Sequence, residues 1–545
     1  MPQTLEAPPM PPPIAYFPEI RTLGDAPRFH GRTRGQAPAF LFEGEAITYA
    51  QFDRRTAQVA NGLLAGGVRH GSRIAYLGKN STAYFELLFG AARIGAVLTP
   101  VNWRLAEPEV IYITRDAEAE MLFVDGHCAG LAERVAAEAP TLRKVIAMEG
   151  GLPGRESYEG WRDLQSVEDQ SVKVAPSDVA VQLYTSGTTG RPKGVQLSHE
   201  AFFAFNAYAH ANPGAFGADL TWNQWTSEDV SLVAMPVFHI SGTGWGVVGV
   251  YAGAFTVVLR EFENAAVIGA IRDFRVSKTV LVPTTIQMML EFPGVSRSDF
   301  ASMTDFLYGA SPIPLDLLQK AVDAFGCGFI QLYGMTETCG AVTYLPAADH
   351  VAGNPRMRSA GKTIPGAEIR ILDPEGDDER PTGEVGEICI RAPTTMRGYW
   401  KQDEETARVV RADGWVRSGD AGYLDEDGYL FIRDRVKDMI VSGGENVYPA
   451  EVENAIYGHP AVAEVAVIGV PDPKWGEAVK AVVAIRAGQP ADAEDIIAWA
   501  RARIAGYKVP KTVDFVDALP RNASGKVLKR DLREPYWSGH DRRVN

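Results

Sequence analysis

The sequence predicts an α/β protein with a large N-terminal domain of layered strands and helices, a β-rich subdomain and a small mobile α+β C-terminal domain. Strand and helix signals alternate through the first three quarters of the 545 residues, which is typical of a mainly parallel sheet covered by helices. From about residue 366 the pattern changes to alternating β signals separated by turns, which indicates a separate β-rich unit. The chain is also too long for a single hydrophobic core.

The elements follow from local apolar patterns and turn residues. The first two predicted strands form a hairpin that turns at Gly44. In chain order, strands are predicted at 40–42, 46–49, 73–77, 96–101, 180–184, 232–234, 279–282, 306–308 and 329–332. Helices are predicted at 51–64, 82–94, 449–457 and 491–504.

Changes of composition along the chain predict the domain boundaries. Residues 1–18 are rich in proline and are expected to form a flexible tail. Residues 19–436 are assigned to the N-terminal domain, of which 366–436 form the β-rich subdomain. The C-terminal domain is expected to begin at Lys437 and to occupy 437–545.

The composition indicates which binding partners and which cellular compartment are expected for this protein. The formal net charge of −14 argues against nucleic-acid binding, which needs a basic face. Peripheral contact with a membrane stays an open alternative, because an acidic chain can still carry a local basic patch. The start of the chain lacks the basic region and apolar run of a signal peptide. Widely spaced cysteines without a C-x-x-C pair indicate free thiols in a cytoplasmic protein. These are Cys128, Cys327, Cys339 and Cys389. The protein is separately expected to be a homodimer or a monomer.

An uncharged stretch over 230–259 is long enough in principle to span a bilayer. Pro236, His239 and five glycines interrupt it. We therefore predict a buried strand, a loop and a helix beside a pocket, and no transmembrane segment.

The segment 184–195, YTSGTTGRPKGV, has the composition of a loop that wraps polyphosphate oxygens. Glycines let backbone N–H groups approach closely, hydroxyls donate hydrogen bonds, and a late lysine supplies positive charge. The spacing excludes a P-loop, which needs G-x-x-x-x-G-K-[ST]. The candidate phosphate-binding residues are Thr185, Ser186, Gly187, Thr188, Thr189 and Lys193.

Three further segments carry groups suited to a nucleotide. After the strand at 329–332, Tyr333 can stack on a base, Thr336 can donate to phosphate, and Glu337 can bind a hard divalent cation. Asp420 can accept from both ribose hydroxyls, and Arg435 is expected to reach the same sugar. Residues 442–446 offer backbone without side chains, suited to a narrow channel.

Together these segments resemble the adenylate-forming superfamily of acyl-CoA synthetases, firefly-type luciferases and peptide-synthetase adenylation domains. The resemblance extends from about residue 40 to 533 through YTSGTTGRPKG, YGMTE, SGD, DRVKDMI, SGGENVYPAEVE and PRNASGKVLK in order. VPDPKWGEAV and GYKVPK bring it nearest to bacterial fatty-acyl-CoA synthetases. It implies two steps, in which a carboxylate reacts with ATP to give acyl-AMP and coenzyme A then forms a thioester.

The resemblance also implies roles for individual residues. It places the β- and γ-phosphates on the loop from Thr185 to Lys193, the α-phosphate on Thr336 and Mg²⁺ on Glu337. It makes Lys526 the catalytic cation of the first step and Lys437 the hinge about which the C-terminal domain rotates. The resemblance further implies that the adenine and acyl pocket is lined by Gly309, Ala310 and Ser311, that Tyr333 flanks adenine, and that Gly334 belongs to the cofactor site. The remaining implied contacts are ribose with Asp420 and Arg435, pantetheine with Gly443 and Gly444, and the coenzyme A nucleotide with Trp475, Tyr507 and Lys508.

The acid pocket is the part that the motifs determine least. His239, in the segment 236–241, is expected to gate or contact the carboxylate, or to be a packed structural histidine. Trp245 and the glycines over 242–246 are expected to shape an apolar tunnel. A medium- or long-chain fatty acid is the first expectation. The alternatives are an aryl or arylalkanoic acid, a carrier protein in place of coenzyme A, and a catalytically silent protein on the same fold.

Overall fold

The computed structural model describes residues 14–148, 151–152, 154–170, 172–185, 191–217, 219–374, 376–435, 438–442, 445–521 and 527–537. The helices are α1 (Asp25–Thr33), α2 (Tyr49–Ala65), α3 (Thr82–Arg93), α4 (Glu107–Asp116), α5 (Ala129–Glu138), α6 (Tyr158–Asp163), α7 (Ala204–Ala211), α8 (Ile240–Ala252), α9 (Asn264–Asp273), α10 (Pro283–Leu290), α11 (Leu315–Phe325), α12 (Asp403–Val409), α13 (Pro449–Tyr457), α14 (Ala493–Arg501) and α15 (Lys529–Trp537).

The strands are β1 (Pro38–Phe42), β2 (Glu45–Thr48), β3 (Arg73–Leu77), β4 (Val97–Val101), β5 (Ala119–Val124), β6 (Lys144–Ala147), β7 (Val179–Thr185), β8 (Lys193–Ser198), β9 (Val230–Val233), β10 (Phe255–Val258), β11 (Lys278–Leu281), β12 (Asp305–Gly309), β13 (Gly328–Met335), β14 (Gly340–Leu345), β15 (Lys362–Thr363), β16 (Glu368–Leu372), β17 (Gly386–Arg391), β18 (Gly398–Tyr399), β19 (Val416–Leu424), β20 (Leu430–Arg435), β21 (Ile440–Ser442), β22 (Glu445–Val447), β23 (Val462–Asp472), β24 (Gly476–Ile485) and β25 (Thr512–Phe515).

Two large sheets form the first part of the molecule. One has the order β18-β8-β7-β4-β3-β5-β6, and the other has the order β15-β14-β13-β12-β11-β9-β10-β1-β2. Their central strands are parallel, and antiparallel pairs form three of the four sheet edges, while β6 pairs parallel with β5 at the fourth. This arrangement confirms the predicted α/β class. It also brings the carboxyl ends of β9, β11, β12 and β13 together, where open α/β sheets bind ligands.

Local sequence explains why several elements begin and end where they do. Gly44 turns the predicted hairpin at φ +84°, a conformation that glycine adopts without strain. A capping box starts α2, because the Thr48 hydroxyl accepts the Gln51 N–H while the Gln51 side chain accepts the Thr48 N–H. Pro449 opens α13, where its missing N–H costs nothing.

The uncharged stretch over 230–259 folds as the buried strand β9, a loop, the helix α8 and the strand β10. This confirms the prediction of strand, loop and helix. In the part of the chain that the structure describes, no helix is long and apolar enough to cross a membrane.

Two smaller sheets follow along the chain. The antiparallel order β16-β17-β19-β20 lies within the predicted β-rich subdomain. The last sheet, β22-β21-β24-β23 with β25 beside β24, packs with α13 and α14 around its own apolar core. The boundary residue Lys437 lies outside the described residues, so the exact division remains a prediction.

The predicted tail over 1–18 needs correction at its end. Residues 1–13 lie outside the described part of the chain. Tyr16 stacks on His210, and Phe17 packs against Tyr251, whose hydroxyl also accepts the Phe17 N–H. These aromatic contacts fix residues 16 and 17 on the large domain.

Candidate active site

Tyr333, Asp420 and Arg435 come together where β13 meets the small antiparallel sheet. Asp420 faces Arg435 across β19 and β20. The Arg435 Nε donates to Asp420 Oδ1 at 2.8 Å, and the Tyr333 hydroxyl donates to Asp420 Oδ2 at 2.8 Å. A carboxylate has about four acceptor positions, so each oxygen retains capacity for a ribose hydroxyl.

Neighbouring charges and burial shift the pKa values of Tyr333 and Arg435 in this cluster. Burial and the neighbouring Asp420 raise the pKa of Tyr333 well above its ordinary value, so its hydroxyl remains a donor. Burial opposes the charge on Arg435, but Asp420, Tyr333 and Glu337 raise its pKa nevertheless. The result is a fixed carboxylate beside a fixed guanidinium.

Two glycines allow close backbone approach at predicted cofactor-binding positions. A Cβ at Gly309 would lie 2.3 Å from the Leu332 carbonyl oxygen, and a Cβ at Gly334 would lie 1.9 Å from that of Gly340. Ala310 follows in the left-handed region at φ +67°, with an exposed side chain, and Ser311 is half-buried. The strand ends are therefore shaped by backbone, as a flat ligand requires.

Glu337 lies in a short 3₁₀ turn over Thr336–Thr338 that follows β13. The Thr338 hydroxyl closes this turn by donating to the Gly340 carbonyl oxygen at 2.8 Å. Burial raises the pKa of Glu337, while a hydrogen bond from the Tyr399 hydroxyl and the positive charge of Arg435 favour its carboxylate.

A magnesium ion fits this arrangement only together with the nucleotide. Among the described residues there is no group of three or more His, Cys, Asp or Glu side chains that could hold a metal by itself. Glu337 supplies one hard carboxylate, and Mg²⁺ is commonly bound by one or two carboxylates plus substrate phosphates.

The ends of the predicted phosphate loop are antiparallel partners, since Thr185 at the end of β7 faces Lys193 at the start of β8. Ser186, Gly187, Thr188 and Thr189 lie outside the described residues. Lys193 is 5% exposed and forms an ion pair with Glu405 of α12. Its ammonium is thus already partnered in this structure.

His239 directly precedes α8, and its ring packs against Phe238. Its Nε2 is buried and has no hydrogen-bond partner among the described residues. Burial and the positive charge of Arg104 lower its pKa to about 4. Near neutral pH this histidine is uncharged and can offer only a neutral hydrogen bond.

Half-buried apolar residues lie beside His239, on α8 and on the strands of the nine-stranded sheet against which α8 packs. On α8, otherwise largely buried, Ile240, Gly244 and Val248 form a half-buried stripe. A Cβ at Gly244 would meet only Ile240, at 3.3 Å. We call this surface the apolar groove; facing residues that are also half-buried are Val280, Leu332, Cys339, Gly340 and Ala341.

Trp245, which is expected from the sequence to shape an apolar tunnel, is buried against a second tryptophan. It is 6% exposed and packs against Trp225, with ring centroids 5.3 Å apart. Gly246 and Gly242 permit close packing of α8, since a Cβ at these positions would lie 2.2 Å from the Phe85 ring and 2.3 Å from the Pro236 carbonyl oxygen.

The coenzyme A candidates lie on the C-terminal domain. Trp475 and Tyr507 are exposed aromatic side chains, at 40% and 42%. Lys508 forms an ion pair with Glu451 at 2.6 Å, so its charge is partnered. Lys437, Gly443, Gly444 and Lys526 lie outside the described residues.

Several contacts cross the predicted hinge. Asp434, which precedes Lys437, accepts the Ala450 N–H at 2.9 Å. Arg521, which precedes the segment containing Lys526, lies 3.5 Å from the Thr284 hydroxyl at the start of α10. The C-terminal domain is therefore docked beside the strand ends.

Three residues contact or lie near the predicted site residues but belong to no sequence motif: Tyr399, Glu405 and Arg104. Tyr399 contacts Glu337, Glu405 pairs with Lys193, and Arg104 lies near His239. No local motif marks them, because each acts through a partner more than sixty residues away in the chain.

Comparisons with known proteins agree with this architecture. The AMP-binding enzyme family model matches residues 28–400, and the AMP-binding enzyme C-terminal domain model matches residues 451–526. The chain is 41% identical to the fatty acid–[acyl-carrier-protein] ligase ScoC of Streptomyces coeruleorubidus, over 97% of this chain and 99% of that protein. It is also 41% identical to a feruloyl-CoA synthase of an Amycolatopsis species, over 94% and 99%.

Among solved structures, ATP-bound MatB from Rhodopseudomonas palustris superposes with a TM-score of 0.85 at 31% identity, covering 96% of this chain and 100% of that one. This fold is that of the adenylate-forming ligases. The chain belongs to the AMP-binding enzyme family. It is an AMP-forming acid–thiol ligase that binds ATP and activates a small carboxylic acid.

Proposed function

We propose that this enzyme activates an apolar carboxylic acid as its acyl-adenylate, releasing pyrophosphate, and then transfers the acyl group to coenzyme A with release of AMP. The apolar groove is the observation that supports an apolar acid as the substrate. Leu332, which lines this groove, directly precedes Tyr333, and Tyr333 donates to Asp420. None of the described residues named above as lining the groove carries a charge that would hold an amino or a second carboxyl group.

A medium- or long-chain fatty acid is the first candidate. The stripe from Ile240 to Val248 covers nine residues, and its eight steps of 1.5 Å give a length of about 12 Å. This length favours the medium range. An aryl or arylalkanoic acid is the second candidate, and the name of the Amycolatopsis relative supports it.

In the first step, Asp420 and Arg435 would hold the ribose, Tyr333 would flank adenine and Thr336 would donate to the α-phosphate. Glu337 would bind Mg²⁺, which supplies charge neutralisation of the phosphates when bound. Such fixed charges act on the transition state without reorganisation.

Lys526 is proposed as the cation that bridges the carboxylate and the α-phosphate, and Lys437 as the hinge between the two steps. Lys526→Ala should abolish acyl-adenylate formation and largely spare thioester formation from supplied acyl-adenylate. Equal loss of both reactions would contradict this role. Lys437→Pro should trap the adenylate, and normal turnover of coenzyme A by that variant would contradict the hinge.

The thiol acceptor is proposed to be coenzyme A, which Trp475 and Tyr507 would contact through their exposed rings, and Gly443 and Gly444 through a pantetheine passage. The name of the Streptomyces relative supports a carrier protein as the alternative acceptor.

The test is AMP release with ATP and Mg²⁺ across acids from acetate to long-chain fatty acids, benzoate and arylpropenoates. Coenzyme A is supplied in one series and a phosphopantetheinyl carrier protein in the other. A maximum at medium chain length with coenzyme A supports the proposal. A maximum with aryl acids would favour an aryl or arylalkanoic acid as the substrate. Activity only with the carrier protein would favour that protein as the thiol acceptor.

A further inference from the structure

Residues 396–400, here called the strap, connect two separate parts of the nucleotide site. The Met396 N–H donates to the Glu337 carbonyl oxygen at 2.8 Å, and the Trp400 N–H donates to the Gly194 carbonyl oxygen at 2.8 Å. Between them, β18 pairs antiparallel with β8. The strap therefore ties the turn that carries Glu337 to the strand that begins at Lys193.

The side chain of Tyr399 also contacts both Glu337 and Lys193. Its hydroxyl donates to Glu337 Oε1 at 2.8 Å, and the Lys193 ammonium lies 5.1 Å from the centre of its ring. The ring is 6% exposed, and Glu405 holds the ammonium in place. An anion at the hydroxyl and a cation near the ring leave Tyr399 one orientation.

The hydrogen bond from the Tyr399 hydroxyl restricts the orientation of the Glu337 carboxylate. A carboxylate offers about four acceptor positions, and the Tyr399 hydroxyl occupies one of them. The remaining positions are then fixed in space. Without the donor, the carboxylate of Glu337 would lose its side-chain contact and keep only the hydrogen bond from its own backbone N–H to hold its orientation.

We propose that Tyr399 is a positioning residue for the ATP-dependent step, because its hydroxyl fixes the Glu337 carboxylate in the orientation that receives the divalent cation accompanying ATP. This inference rests on the proposed function. It assigns to Tyr399 no contact with the nucleotide itself.

The test is Tyr399→Phe, which keeps the buried ring and removes only the hydroxyl. Calorimetry measures the Kd for ATP with Mg²⁺ and with EDTA, and electron paramagnetic resonance measures binding of Mn²⁺ to the enzyme–ATP complex. Losing a hydrogen bond to a charged group predicts about tenfold weaker binding of both Mn²⁺ and Mg-ATP. Binding of ATP in EDTA should be unchanged.

Tyr429→Phe is the matched control, since Tyr429 is also buried and donates to Asp349 Oδ2 at 2.7 Å, away from the strap. It should leave both affinities unchanged. In a Glu337→Gln background, Tyr399→Phe should add no further loss of Mn²⁺ affinity.

Equal loss of ATP binding with Mg²⁺ and with EDTA, or full additivity of the two changes, would overturn the role of Tyr399. If the unaltered enzyme bound ATP equally well with and without Mg²⁺, this result would contradict the proposed magnesium site itself and not only the role of Tyr399. The two failures are thus distinguishable.

Discussion

Asp420 and Arg435 face each other across two antiparallel strands, and the Arg435 Nε donates to Asp420 Oδ1 at 2.8 Å. Asp420 is buried and Arg435 is half-buried, and the Tyr333 hydroxyl donates to the other carboxylate oxygen. A carboxylate held in this way cannot turn to suit a ligand. The ligand must instead present its donors at the two remaining acceptor positions.

The first prediction is that Asp420→Asn weakens ATP binding and removes discrimination between ATP and its 2′-deoxy and 3′-deoxy analogues. Loss of hydrogen bonds to a charged acceptor predicts about a 10- to 100-fold increase in the Kd for ATP. Calorimetry with the three nucleotides measures both effects. The control is Asp413→Asn, an exposed carboxylate in the same subdomain. Undiminished discrimination in Asp420→Asn would refute the ribose assignment.

The second prediction concerns His239, whose pKa is lowered to about 4 by burial and by Arg104. Above pH 5.5 the free enzyme should carry a neutral His239. The ratio of kcat/KM between the unaltered enzyme and His239→Gln should therefore stay constant from pH 5.5 to pH 8. A ratio that changes with a midpoint near pH 6.5 would show a charged histidine. His239→Phe, which removes the neutral hydrogen bond that His239 can offer to the substrate carboxylate, should cost about fivefold in kcat/KM.

The structure also shows which features the sequence could predict. Tyr333 lies near the end of β13, and Thr336 and Glu337 directly follow that strand, so their proximity could be predicted from adjacent positions. Asp420 and Arg435 lie on neighbouring strands of a hairpin, so local alternation was enough to bring them together. Tyr399 and Glu405 could not be predicted, because their contacts with Glu337 and Lys193 depend on β18 joining the edge of a distant sheet.

The third prediction is that side chains at Gly244 shorten the apolar groove in steps. Gly244→Ala places a Cβ 3.3 Å from Ile240 Cδ1, and Gly244→Val fills more of the space. With Gly244→Val, kcat/KM should fall about tenfold or more for the longest accepted acids and stay unchanged for the shortest, since each excluded methylene costs about 1 kcal/mol. AMP release across chain lengths measures this shift.

Gly130→Ala, at an open position in α5, controls for the effect of replacing a helical glycine, which stabilises a helix by about 0.5–1 kcal/mol. It should leave the chain-length profile unchanged. A uniform loss for all acids in Gly244→Val would show that the groove does not hold the acyl chain.

The last prediction is acid destabilisation through buried neutral histidines, of which His350 is the best defined. Its Nδ1 lies 2.9 Å from the Pro346 carbonyl oxygen and its Nε2 lies 3.0 Å from the Tyr308 hydroxyl, so the neutral ring donates to the first and accepts from the second. Burial lowers its pKa from 6.5 to about 4. The unfolded chain therefore takes up a proton on this ring at a pH where the folded chain does not.

The free energy of unfolding should consequently fall as pH drops from about 6.5 towards 4, by about 3 kcal/mol from His350 alone. In urea titrations at successive pH values, His350→Gln should reduce the slope of stability against pH by about one proton. His127→Gln, which changes an exposed histidine, is the matched control and should leave the slope unaltered. An unchanged slope in His350→Gln would mean that His350 is already protonated in the folded protein, in conflict with its bond to the Tyr308 hydroxyl.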